Sequence, residues 1–123
     1  MKQKSLNFII PLVVYPFDVM VSLGQTNEQL KHSLSKKDVD WEDNMKIIGR
    51  GLFYMNAKNQ SILRLDVIPK TPAEHGFLQH EIFHAVTHIL NRTGMKMVLM
   101  KSDEAYSYLI QYLTEQILTK ILH

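Results

Sequence analysis

The chain has 123 residues, 46% of them hydrophobic and 21% charged, a balance that excludes intrinsic disorder and suits a single domain over 1–123. A net charge of +2 gives no electrostatic case for a nucleic-acid or anionic-membrane partner. The absence of cysteine excludes a disulfide scaffold, a thiolate metal site and a Cys nucleophile, and four of the six His fall between His75 and His88.

Lys2 and Lys4 precede an apolar run from Phe8 to Tyr15 that superficially resembles a signal peptide. Pro11 breaks the run, and Tyr15-Pro16-Phe17-Asp18 offers no small-residue cleavage site. No segment approaches the roughly eighteen apolar residues of a membrane span. The expectation is a cytoplasmic protein with no signal peptide or transmembrane segment.

Phe17, Val19, Val21 and Leu23 alternate with Asp18, Met20 and Ser22, which predicts a half-buried strand ended by Gly24. Thr26-Asn27-Glu28-Gln29 has the form of a capping box and starts a short helix to about Ser35. Lys36 to Asn44 reads as a charged loop. Its acids Asp38, Asp40, Glu42 and Asp43 surround Trp41 without the Gly and terminal Glu of a calcium loop, so they are expected to be solvated. Ile47 to Met55 and Ser61 to Ile68 read as two strands joined by a polar turn. In the second, Leu63, Leu65 and Val67 face one way and Arg64 and Asp66 the other.

The period then changes. Thr71-Pro72-Ala73-Glu74 combines an N-cap, a proline at the first helical position and a glutamate at the third, predicting a helix to about Arg92 that ends at Gly94. Met95 to Lys101 is an apolar connector expected to pack in the core. Ser102 can cap a last helix from Asp103 to near Ile121, with Ala105, Leu109, Leu113 and Ile117 on its buried side. The order of elements favours an α+β domain with a small antiparallel sheet packed on the two long helices.

His80-Glu81-Ile82-Phe83-His84 lies within the first long helix. At about 100° per residue, His80 and His84 are about 40° apart on one face, so both imidazoles can grip one Zn²⁺. Glu81 projects beside them, where a carboxylate can take a proton from zinc-bound water. Leu78, Ile82, Phe83, Ala85, Val86, Ile89 and Leu90 fill the opposite arc and should pack.

A third ligand decides the class. The metzincin extension needs a Gly and a His where this chain has Thr87 and Leu90, and it fails. Glu104 stands twenty positions beyond His84, in Asp103-Glu104-Ala105 at the start of the last helix. This arrangement resembles the gluzincin pattern of thermolysin-like peptidases, in which the third ligand is a Glu on a following helix in an Asn-Glu-Ala context. More widely, the stretch from about Phe17 to Leu118 resembles minimal zincin domains and the small His-Glu-x-x-His proteins encoded by tailed phages. The resemblance implies metal ligands His80, His84 and Glu104, with Asp103 as the alternative to Glu104, and Glu81 as general base. It also implies that the strand nearest the motif helix, Ser61 to Ile68, pairs with an extended peptide substrate. Thermolysin-like enzymes carry a further helical domain that supplies a catalytic His, which this chain of 123 residues does not contain.

An oxyanion donor must then come from elsewhere. Tyr108 is four residues after Glu104 on the same helix face and is the candidate, whereas Tyr106, on the opposite arc, is expected to be packed. His88 is one turn beyond His84, either an outer hydrogen-bond partner or a ligand in place of Glu104. His75 reads as solvated, and Glu115 is too far along the helix from Glu104 to share its metal. Two functions follow. One is a zinc-dependent peptidase with a peptide or protein substrate. The other is a non-enzymatic phage structural or assembly protein with a structural or vestigial zinc site, and with virion or homo-oligomeric partners. A virion-associated peptidase satisfies both.

Overall fold

The strand centred on Val21 is buried on both faces, and the layers of the fold follow from that. In the computed structural model, which describes residues 5–12, 15, 17–98 and 102–122, β1 (Leu6–Pro11) and β2 (Asp18–Leu23) form an antiparallel pair. Helix α1 (Asn27–Lys36) and a short 3-10 turn at Asp43–Met45 precede the hairpin of β3 (Gly51–Met55) and β4 (Ser61–Leu65). Two long helices, α2 (Pro72–Arg92) and α3 (Asp103–Leu122), complete the chain. The sheet order is β1-β2-β4-β3, and the central pair β2–β4 is parallel, with Val21 opposite Leu63. The α+β class stands, but the sheet is mixed. A parallel central pair requires a crossover connection, and α1 supplies part of it on one face.

That crossover explains two further departures from the sequence reading. Val19, Val21, Leu23, Leu63 and Leu65 pack under α2 and α3, while Met20 and Ile62 pack against Leu30 and Leu34 of α1 and against Met45. Strand β2 is therefore fully rather than half buried. Arg64, expected on a polar face, is completely buried: its Nη1 donates to Asn27 Oδ1 at 2.8 Å and to the Met45 carbonyl at 2.7 Å, and its Nη2 to the Gln25 carbonyl at 2.9 Å. A buried guanidinium needs such acceptors, and loops around α1 provide them.

Both predicted capping boxes form: Thr26 with Gln29 at α1, and Thr71 with Glu74 at α2. β3 begins at Gly51 rather than Ile47, after Gly49 at φ +89°, and β4 ends at Leu65. β1 was not foreseen as a strand, because Pro11 and the apolar run masked its pairing. The connector after α2 is not core: Met95, Met97 and Val98 are exposed, and residues 99–101 lie outside those described. Ser102 Oγ donates to the Lys96 carbonyl and accepts from Val98 N–H, so its side chain fastens the connector. Among the described residues no helix is long and apolar enough to cross a membrane.

Candidate metal centre

Helix α2 lies over β3 and β4 with Leu78, Ile82, Ala85, Val86, Ile89 and Leu90 buried, whereas Phe83, expected to pack with them, lies at the edge of that arc and is exposed. His80 and His84 are exposed one turn apart, their rings edge to face with centroids 4.7 Å apart. Their Nε2 atoms converge to 3.1 Å. Two ligands at about 2.0–2.1 Å from a tetrahedral zinc would stand about 3.3 Å apart, so the pair has the spacing of two imidazoles sharing one ion. The same contact serves as an N–H···N hydrogen bond when one ring is the donor and the other the acceptor.

Glu81 departs from expectation. The helical wheel sets it on the wet face, but it is only 8% exposed, turned toward the first residue of β3. A β-carbon on Gly51 would lie 3.0 Å from both Cγ and Oε2 of Glu81 and 2.9 Å from Leu65 Cδ2. The glycine is thus the reason the carboxylate fits. Burial raises the Glu81 pKa above the ordinary carboxylate value, and the nearby His84 and His80 pull it partly back. A carboxyl group in this setting exchanges its proton closer to neutral pH.

Arg50 fixes the same corner. Its Nε donates to Asp66 Oδ2 at 2.7 Å, its Nη2 lies 3.7 Å from Glu74 Oε2, and its guanidinium covers the Phe77 ring at 4.8 Å. The start of β3 is thereby tied to the first turns of α2. Neither Arg50 nor Gly51 was singled out from the sequence. The signal was present in Gly49-Arg50-Gly51, since a glycine opening a strand often marks close backbone approach.

The remaining candidates stand apart from the pair. Gln79 Nε2 donates to Thr114 Oγ1 at 3.2 Å, while the Tyr106 hydroxyl donates to the Met95 carbonyl at 2.9 Å. Helices α2 and α3 are therefore antiparallel as expected, but in this register the start of α3 lies beside the end of α2. Counting from the Gln79–Thr114 contact, Glu104 sits about 7 Å beyond His84 along the helix axis. It is exposed, Asp103 beside it is half-buried, and among the described residues no three His, Asp or Glu side chains gather as a metal cluster. His88 leans on Phe53 of β3 with ring centroids 5.2 Å apart. Tyr108 is 67% exposed and lines a cavity with Leu12 and Tyr15, on the flank of α3 away from Thr114, so it does not reach toward the histidines. Tyr106 is buried as expected.

The substrate strand also changes. β4 is hydrogen-bonded to β2 on one side and β3 on the other, so it has no edge to offer, and β3 is the edge strand on this side of the sheet. The chain matches no protein-family model, no curated protein and no solved structure, so the functional reading rests on this geometry and on the motif.

Proposed function

We propose that the chain is a zinc-dependent hydrolase acting on peptide bonds, with its centre at His80, Glu81 and His84. The convergence of the two Nε2 atoms to 3.1 Å beside a buried carboxylate carries this reading. His80 and His84 would hold the ion, and Glu104 is the proposed third ligand, with Asp103 as its alternative. Bound zinc supplies a Lewis acid that makes water acidic enough to attack at neutral pH. Glu81, held on Gly51, accepts the proton of the attacking water and delivers it to the leaving amine. The edge of β3 offers backbone groups to an extended peptide or protein substrate. A cytoplasmic or virion-associated setting fits this reading.

One observation favours a second reading, a non-enzymatic, phage-type structural or assembly protein with a structural or vestigial zinc site. The register that sets Thr114 on Gln79 carries Glu104 past the pair along the helix axis. Elemental analysis separates the two. The hydrolase requires about one zinc per chain, lost in His80→Ala and much weakened in Glu104→Ala. It also requires that Glu81→Gln keep the zinc and lose cleavage of a peptide library. Zinc that survives Glu104→Ala, with no cleavage by the wild type, would support the structural reading.

A further inference from the structure

The cavity on the far flank of α3 is built from parts that the hydrolase centre does not use. Tyr15 N–H donates to the Leu12 carbonyl at 3.2 Å, which sets Tyr15 beside Leu12. The Tyr112 hydroxyl donates to the Pro11 carbonyl at 2.8 Å and pins α3 to the end of β1. Between them lies a cavity of about 550 Å³, within the roughly 300–1,000 Å³ of small-molecule sites. Leu12 and Leu109 are its buried aliphatic lining. Tyr108, Tyr112 and Glu115 follow one another along one stripe of α3 at helical spacing, and all three line the cavity.

We propose that this cavity binds a small organic ammonium ion. Three tyrosines line it, and aromatic ring faces attract cations through their quadrupole. Among the described residues, Glu115 brings the one carboxylate of the lining, and no Lys, Arg or His joins it. An anion would face that carboxylate with no cation of the described lining to offset it. A neutral apolar ligand would strip water from Glu115 and return no charge. A methylated ammonium satisfies both the apolar walls and the acid. Tyr108 fits the role: the fold buries its neighbours Tyr106 and Leu109 but leaves this large ring in water at the cavity mouth.

The probe is choline, titrated into the full chain and followed by NMR, with its uncharged carbon isostere dimethylbutanol as the control. Choline should shift the ring signals of Tyr15, Tyr108 and Tyr112 saturably, and the alcohol should bind at least about fivefold more weakly. Glu115→Gln and Tyr108→Leu, both at exposed positions, should each weaken choline by about fivefold. Binding should persist in His80→Ala, which keeps this site separate from the proposed metal centre. No saturable shift at these rings overturns the proposal. So does equal binding of the alcohol, or wild-type affinity in both cavity variants.

Discussion

The two faces of the sheet each bury an ionisable side chain, and they treat it in opposite ways. On the α1 face, Arg64 gives both terminal nitrogens to oxygen acceptors, and only its Nε lacks a partner. On the α2 face, Glu81 is nearly as buried, yet no described side chain or backbone group donates to its carboxylate, and only the neighbouring His84 and His80 work against the rise that burial imposes on its pKa. A buried charge whose terminal nitrogens the fold supplies with hydrogen-bond acceptors is scaffold. One left polarised and partly open to water is where perturbed proton chemistry is found. The contrast sets Glu81 apart on physical grounds, independently of the motif it belongs to, and the proposed role as general base draws on it.

The sharpest way to break that contrast is Arg64→Met. It removes the donors for the Gln25 and Met45 carbonyls and for Asn27, so denaturant unfolding should show a loss of about 2–4 kcal/mol. A loss below about 1 kcal/mol would mean that water serves those acceptors equally well, and Arg64 would no longer differ from Glu81.

Next in size is Gly51→Ala, which sets a methyl group 3.0 Å from the Glu81 carboxylate and 2.9 Å from Leu65. The expected cost is about 1–3 kcal/mol by overpacking. If the carboxylate is the obstacle, the double variant Gly51→Ala/Glu81→Ala recovers part of it, with a coupling of about 1 kcal/mol or more in the mutant cycle. Strict additivity would place the clash on Leu65 alone and remove the claim that the glycine exists for Glu81.

How much of this could be read in the sequence depended on whether the determining contacts were local. The capping boxes at Thr26 and Thr71, the β3–β4 hairpin and the 3.6-residue period of α2 are properties of neighbouring residues, and they appeared as expected. So did the facing of His80 and His84, one helical turn apart. What stayed hidden was set by partners distant in the chain. Arg64 alternates as a surface residue would until α1 crosses its face. β1 pairs with β2 although Pro11 reads as a breaker, because proline is tolerated on an edge strand. Glu81 sits at the rim of its helix wheel, and only the approach of Gly51 decides that it turns inward. The helix register that separates Glu104 from His84 depends on side-chain packing between α2 and α3, which spacing along the chain does not encode.

The smallest effect is also the most direct reading of the contrast between carboxylates, and it lies in the pH dependence of stability. Tyr54 O–H, at 2.5 Å, and Ala57 N–H hold the Glu42 carboxyl below the ordinary value of 4.5. Burial holds Glu81 above that value. The signs are therefore opposite. Glu42 contributes stability that is present above its unfolded pKa and is lost as pH falls through its lowered folded value. Glu81 favours the folded state most below its unfolded pKa, and that contribution is lost as pH rises from about 4.5 through its raised folded value. Thermal unfolding of the protein stripped of metal by a chelator should thus lose a downward slope above the ordinary carboxylate range in Glu81→Gln. In Glu42→Gln it should lose part of the acid-side fall, to which Glu74, also lowered by the Lys70 and Thr71 N–H groups, still contributes. A Glu81→Gln curve parallel to wild type above that range would show that burial leaves the Glu81 proton where water would leave it.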